Sequence, residues 1–227
     1  MKALAEIFEE SRPAFDGLID RLKEPLREGR WESVLGDDVS GRLPALVIGD
    51  LMARVARERG RDAPSRFFIP GRRQERSLLS QEEEYLRSIK ERLGQRTLLV
   101  TEYIASGGTM KALASLLNRE GIPFDIAAVS SEKTAEEMKR EERFQDAQFY
   151  IGTTEKPLLG FVFWARGAVT GIEKRAHEQE PLATRNFWAD PELVVAARKK
   201  AQEMADELYE KYFAEKSDET AKAAKIV

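Results

Sequence analysis

The sequence predicts an α/β fold in which helices flank a doubly wound, mostly parallel sheet, with helical extensions at both ends. Two observations support this fold class. Short apolar runs alternate along the chain with segments whose apolar residues recur at helical spacing, as buried parallel strands and their crossover helices do. The chain of 227 residues is also long enough for one large domain with extensions, and it contains no cysteine.

The first 30 residues are expected to be helical. Leu4, Ile7 and Phe8 form a short apolar stripe, and Pro13 suits the first turn of a second helix. A turn-rich segment, Gly36–Gly41, follows. We therefore predict that a helical extension precedes the sheet.

The central part is expected to alternate strands with helices. The predicted strands are Ala45–Ile48, Phe67–Ile69, Thr97–Val100, Phe124–Val129 and Phe149–Ile151. The predicted helices are a segment beginning at Leu51, then Ser80–Leu93, Thr109–Leu117, Thr134–Phe144 and the amphipathic Pro191–Phe213. The predicted regions are a helical extension (1–40), an α/β core with a hood segment (41–189), a C-terminal helix (190–216) and a flexible tail (217–227).

Composition excludes several classes of function. Without cysteine and with His177 as the single histidine, the chain offers no thiolate nucleophile, cysteine-bound zinc or multi-histidine metal centre. Its 37 basic and 40 acidic residues leave a net charge of -3, so nucleic acid is possible through local patches but is not favoured. No run approaches the roughly 18–20 apolar residues of a membrane span. We expect a cytoplasmic protein that does not contact membranes.

The segment Leu98–Leu113 carries the clearest chemical signal. A buried strand ends at Glu102, and the loop Ala105-Ser106-Gly107-Gly108-Thr109 leads into a helix. Glycines permit positive φ, and successive N–H groups at a helix start form a nest for a phosphate. Ser106 and Thr109 can add hydroxyl donors. The alternative is an ordinary strand-to-helix turn, but the whole constellation favours a phosphate loop.

This segment resembles the signature of the type I phosphoribosyltransferases, which is a hydrophobic strand, two acids, a few variable residues and Thr/Ser-Gly-Gly-Thr. The resemblance implies a phosphoribosyltransferase-like fold. It also implies that Ala105, Ser106, Gly107, Gly108 and Thr109 hold the 5-phosphate of phosphoribosyl pyrophosphate (PRPP). Glu102 would accept hydrogen bonds from the ribose hydroxyls.

The sequence departs from this signature at two positions. Thr101 stands where the family has its first acid, which weakens the grip on ribose and magnesium and lowers the negative charge facing a cationic sugar in the transition state. Tyr103 replaces a small aliphatic residue and is expected either to stack on a ligand, as a weak base contact, or to be core.

The resemblance extends to a pyrophosphate site. Gly49 and Asp50, after the predicted strand Ala45–Ile48, correspond to the family's short pyrophosphate loop. Asp50 is expected either to reach magnesium or to cap the next helix. Arg54 to Arg76 contains eight arginines against three acids, a net charge of +5, and Arg72 and Arg73 resemble the family's mobile basic loop. Arg54, Arg57 and Arg61 are instead predicted on a solvated helix face.

A polar segment, Gly167–His177, corresponds to the family's hood over the acceptor base. Lys174, Arg175 and His177 are candidates for contacts with a nucleobase or a second phosphate, although a lone histidine is more often structural.

Two functions remain in competition. The first is an enzyme, a homodimeric phosphoribosyltransferase that transfers phosphoribosyl to or from a nitrogen base, with magnesium held mainly through the pyrophosphate substrate. The second is a regulator of the same fold that senses PRPP or a nucleotide without turnover and contacts a protein or nucleic acid. A purely structural role leaves the Ser106–Thr109 loop unexplained.

Overall fold

The computed structural model describes residues 4–38, 40–70, 76–155, 172–174, 183–185 and 190–214. The predicted pyrophosphate and base contacts Arg72, Arg73 and His177 lie outside these residues.

The described chain alternates helices and strands. Its strands are β1 (Ser33–Asp38), β2 (Ser65–Pro70), β3 (Thr97–Ile104), β4 (Phe124–Ser131), β5 (Phe149–Thr153), β6 (Ile172–Lys174) and β7 (Ala183–Arg185). Its helices are α1 (Leu4–Glu28), α2 (Arg42–Glu58), α3 (Arg76–Leu93), α4 (Gly108–Arg119), α5 (Ala135–Lys139) and α6 (Pro191–Tyr212), with a 3₁₀ turn at Glu142–Phe144.

The sheet confirms the predicted fold class. Five parallel strands follow the order β2-β1-β3-β4-β5, which is a doubly wound order. Strands β3 and β4 are buried along nearly their whole length, because helices cover both faces. β6 and β7 form a separate antiparallel pair.

Two apolar layers enclose the sheet. Helices α1, α2 and α6 cover one face, where Leu18, Ile48 and Met204 belong to a single buried cluster. Helices α3 and α4 cover the other face, where Leu86 and Leu117 are buried. The N-terminal and C-terminal helices therefore pack on the same side of the sheet.

The N-terminal region forms one helix, whereas two were expected. Pro13 and Pro25 both lie inside α1. The apolar stripe runs on across Pro13, and Phe8, Phe15 and Leu22 are all buried. Burial of this continuous stripe outweighs the cost of an interior proline.

The predicted strand Ala45–Ile48 is wrong, because these residues lie in α2. A short apolar run does not distinguish a strand from a buried helix. Here Pro44 in the first turn and the buried spacing of Leu43, Val47 and Leu51 belong to a helix. The first strand of the sheet is instead β1, which overlaps the segment expected to be a turn.

Candidate functional site

The strand order creates a crevice where β1 lies beside β3. The chain leaves β1 toward α2 on one face of the sheet and leaves β3 toward α4 on the opposite face. Ligands of open α/β sheets bind at such a switch point, outside the carboxyl ends of the strands. We call this region, residues 37–38, 40–42 and 101–109, the switch crevice.

The predicted strand–loop–helix is confirmed on the β3 side of the switch crevice. Helix α4 begins at Gly108, and its N-cap residue Gly107 has φ 79° and ψ 7°, in the left-handed region. No side chain caps the helix, so the N–H groups of its first turn are left for another acceptor. Ala105, Ser106 and Gly108 are exposed, so this helix start is accessible from solvent.

The two glycines of this loop have different physical roles. Gly107 has the positive φ that a side chain disfavours, whereas a Cβ at Gly108 would meet only Ser106 Oγ, at 3.6 Å. Gly107 therefore sets the direction of the loop. Gly108 keeps the surface over the helix start open.

Glu102, expected to hold ribose, and Thr101 beside it, in the position of the family's first acid, are both buried. Glu102 has an exposure of 0% and Thr101 of 1%. Within the described residues, Thr101 Oγ1 has no hydrogen-bond partner, and buried hydroxyls normally have one. The carboxylate of Glu102 is not exposed to a ligand in this conformation.

The β1 side of the switch crevice contributes a second helix start. Gly41 is the N-cap of α2, again without a side-chain cap. A Cβ there would lie 2.2 Å from the Oδ1 carboxylate oxygen of the buried Asp37 and 2.3 Å from the carbonyl oxygen of Val100. Ser40 Oγ donates a 2.9 Å hydrogen bond to Asp37, and the Arg42 guanidinium lies 4.8 Å from the centre of the Phe68 ring.

Sequence reasoning missed this second helix start. Two signals pointed to it: the apolar residues after Gly36–Gly41 already have helical spacing, and Pro44 suits a first turn.

Tyr103 lies at the rim of the switch crevice, half-buried. Its hydroxyl donates to the Glu132 carboxylate, and this hydrogen bond, with burial, raises the pKa of Tyr103 to about 12. The backbone N–H of Glu132 donates to the Ile104 carbonyl at 2.8 Å, which holds the pair against β3. The phenol is therefore neutral and tied to an acid at neutral pH.

The predicted pyrophosphate-loop residues lie away from the ends of the strands. Gly49 and Asp50 lie inside α2, not in a turn, so their assignment to a pyrophosphate loop is corrected. The Asp50 carboxylate accepts a 2.5 Å hydrogen bond from Arg66, and Arg66 also packs against Gly49. Lys174 ends the short strand β6.

The expected solvated arginine face is only partly found. The Arg54 guanidinium lies 3.8 Å from the centre of the Tyr209 ring and bonds to Asp206 and Glu210 of α6. Arg61 donates to the carbonyl oxygen of Arg27. Arg57 remains exposed.

Neither a metal cluster nor a membrane helix occurs in the described chain. Among residues 4–38, 40–70, 76–155, 172–174, 183–185 and 190–214, no three His, Asp or Glu side chains are grouped to hold a metal ion. In the same residues no helix combines the length and apolarity needed to cross a membrane.

Comparison with known proteins identifies no family. No protein-family model matches the sequence, and no curated protein matches it. The chain is similar to the crystal structure of orotate phosphoribosyltransferase from Aeropyrum pernix, with 15% sequence identity and a TM-score of 0.38. That match covers 66% of this chain and 75% of the other, and it is too weak to assign a function.

Proposed function

We propose that the switch crevice binds PRPP or a nucleoside 5'-phosphate and that the protein is a phosphoribosyltransferase. The observation that carries this proposal is the uncapped start of α4, with Gly107 in the left-handed region beside the switch point. Such a helix start provides aligned N–H donors and a positive dipole end for a phosphate. Ser106 and Thr109 supply hydroxyl groups beside it.

The resemblance of the Leu98–Thr109 sequence to the type I phosphoribosyltransferase signature extends the proposal from anion binding to a reaction. In this reaction the bond from the anomeric carbon to pyrophosphate breaks and a carbon–nitrogen bond forms. The acceptor nitrogen loses its proton to water. The protein contributes by holding the 5-phosphate at α4 and the sugar near Glu102, which positions the reacting atoms.

We also propose the start of α2 as the site of the departing pyrophosphate, where the Asp37 carboxylate lies beside Gly41. The N–H groups at the start of α2 lie on the other side of the same crevice, after β1. They replace Gly49 and Asp50 in our proposal, since those residues lie within a helix. Arg72 and Arg73 remain proposed contacts.

Magnesium is proposed to enter as part of the substrate. The described residues contain no acidic group of three that would form a metal cage, whereas pyrophosphate oxygens are good magnesium ligands. The protein would then bind the magnesium–pyrophosphate unit through backbone N–H groups.

A sensor without turnover is the second candidate, and the burial of Thr101 and Glu102 favours it. An enzyme needs negative charge close to the cationic sugar of the transition state. Here one acid is replaced by Thr101, and the carboxylate of Glu102 has an exposure of 0%. An enzyme therefore requires Glu102 to become accessible when the ligand binds, whereas a sensor does not.

Two measurements separate these functions. Calorimetric titration of the full chain with PRPP and magnesium tests binding, and a pyrophosphate-release assay with purines, pyrimidines and orotate tests turnover. An enzyme releases pyrophosphate with at least one acceptor. Binding without release identifies the sensor, and absence of binding overturns both candidates.

Glu102→Gln sharpens the distinction, because it removes the charge and keeps the shape. For an enzyme we expect release to fall at least tenfold while PRPP binding changes less than threefold. Glu136→Gln, an exposed acid on α5, is the matched control and should behave as wild type.

A further inference from the structure

A second cavity lies at the opposite end of the sheet from the switch crevice. It has a volume of about 400 Å³ and is bounded by residues 29–32, 61–65 and 91–94, which precede β1, β2 and β3. Leu26, Met52 and Ala56 supply apolar lining. Its volume falls within the range of small-molecule sites. We call it the amino-end cavity; the six residues of β1, about 17 Å of extended chain, separate it from the switch crevice.

Arg61 provides a fixed cation in the wall of this cavity. Its guanidinium lies over Gly29, where φ is +73° and a Cβ would come within 1.7 Å of Nη1. Nη2 donates a 2.8 Å hydrogen bond to the Arg27 carbonyl, which holds the side chain in place. Nε is buried and has no hydrogen-bond partner among the described residues. The hydrogen bonds of Arg61 within the described residues come from Nη2, so Nη1 is the donor left for a ligand.

Glu32 provides an exposed anion at the same cavity. Its carboxylate lies over Gly94, where φ is +73° and a Cβ would come within 2.2 Å of Oε2. In the part of the chain that the structure describes, this carboxylate has neither a hydrogen bond nor an ion pair. The cavity therefore contains two opposite charges. Each lies over a glycine, Gly29 or Gly94, where a side chain would clash with it.

The remaining charged residues of the cavity add no excess of either sign. Arg30 already donates a hydrogen bond to the Asp125 carboxylate, and the Arg92 guanidinium lies 4.9 Å from the centre of the Phe67 ring. Asp62 and Glu91 also line the cavity. A simple anion would be repelled by three carboxylates, and a simple cation would face Arg61.

We propose that the amino-end cavity binds a small zwitterion with an apolar side chain, of the free α-amino-acid type. The carboxylate accepts a charge-assisted hydrogen bond from Arg61 Nη1. The ammonium group pairs with Glu32, and the apolar side chain packs on Leu26, Met52 and Ala56. This site is independent of the function proposed for the switch crevice.

Calorimetric titration of the full chain tests this proposal with matched probes. L-leucine is compared with 4-methylpentanoate, which lacks the ammonium group, and with 3-methylbutylamine, which lacks the carboxylate. L-phenylalanine is compared with 3-phenylpropanoate and 2-phenylethylamine. We expect at least one amino acid to bind with a Kd below about 1 mM and at least tenfold more tightly than both of its analogues. Equal binding of an analogue, or binding of neither amino acid, overturns the proposal.

Two variants locate the bound amino acid. Arg61→Lys keeps the charge but removes Nε and the planar fork, so amino-acid binding should weaken at least tenfold. Because Arg61 also holds the end of α1, Ala56→Leu is the second variant; it fills the apolar lining and leaves both charges. It should weaken amino-acid binding at least tenfold and leave PRPP titration unchanged.

Arg57→Lys, an exposed change on the same helix, is the control and should bind as wild type. Amino-acid affinity that stays at the wild-type value in both Arg61→Lys and Ala56→Leu overturns the assignment to this cavity.

Discussion

Two buried polar groups of the central strands, Asp125 and Thr101, differ sharply in their hydrogen bonding. At the amino end of β4, the fully buried carboxylate of Asp125 accepts four hydrogen bonds. Its donors are Arg30 Nε at 2.8 Å, Trp31 Nε1 at 2.9 Å, Arg96 Nη1 at 2.9 Å and the Gln148 N–H at 2.8 Å. At the carboxyl end of β3, by contrast, the buried Thr101 hydroxyl has no partner among the described residues.

Helix starts show the same contrast. Thr134 and Glu137 form a complete capping box on α5, and Asp190 caps α6. The two helices that begin at the switch crevice, α2 and α4, have glycine N-caps without a side-chain bond. Of these two helix starts, the one at α4 is exposed and the one at α2 is buried, so the N–H groups of α4 are accessible to water or to a ligand.

The largest expected effect is the loss of the Asp125 carboxylate. Asp125→Ala leaves Arg30, Arg96 and the Trp31 N–H without their acceptor, so we expect the free energy of unfolding to fall by about 3–5 kcal/mol. Chemical denaturation measures this change. Asp146→Ala, an exposed acid nearby, is the control and should change stability by less than about 0.5 kcal/mol. Equal effects of the two substitutions would show that the Asp125 cluster does not stabilise the fold.

The same cluster predicts a pH dependence. Burial alone would raise the pKa of Asp125, but hydrogen bonds from Arg30, the Gln148 N–H and Trp31 outweigh it and hold the pKa below its ordinary value. The stability that this carboxylate contributes is therefore present above its unfolded pKa and is lost as pH falls through the lowered folded pKa. The stability difference between wild type and Asp125→Asn should stay constant above about pH 5 and shrink below the unfolded pKa. A difference that grows on acidification would contradict the assigned sign.

A smaller effect is expected at the carboxyl ends, and it concerns binding. Gly107→Ala and Gly60→Ala both force an alanine into positive φ, at +79° and +64°, and no atom lies within 4 Å of the added Cβ at residue 60. Both should lower stability by about 1 kcal/mol. Only Gly107→Ala should weaken PRPP binding, by at least tenfold, because it disturbs the start of α4. Calorimetric titration with PRPP compares the two variants. An equal loss of PRPP affinity in both would show that the start of α4 is not the phosphate site.

Local signals in the sequence predict the Leu98–Leu113 segment well, because strand, glycine loop and helix start are each specified by neighbouring residues. They fail at Ala45–Ile48, where an apolar run of four residues fits a strand and a buried helix equally. The Asp125 cluster could not be predicted, because its donors come from positions 30, 31, 96 and 148 and meet only in the folded sheet. The complete burial of Glu102 is likewise set by packing from distant elements.

The smallest expected effect on stability comes from removing a single buried hydroxyl, that of Thr101. Thr101→Val keeps the side-chain shape and removes a buried group without a partner, so the free energy of unfolding should stay within about 1 kcal/mol of wild type or rise. Ser33→Ala is the matched control at the amino ends. Its buried hydroxyl donates a 2.7 Å hydrogen bond to the Leu93 carbonyl, and its loss should cost about 1 kcal/mol.

The shift in Tm on addition of PRPP then shows whether the Thr101 hydroxyl forms a hydrogen bond with the ligand or only packs in the core. If the bound ligand forms a hydrogen bond with the Thr101 hydroxyl, PRPP should raise the Tm of Thr101→Val less than that of wild type. Ser33→Ala should show the wild-type shift in Tm. Equal shifts in Tm for all three proteins would show that Thr101 contributes only to packing and not to ligand binding. The contrast between the two ends of the strands would then rest on the uncapped helix starts, where we propose that backbone N–H groups, rather than side chains, contact the ligand.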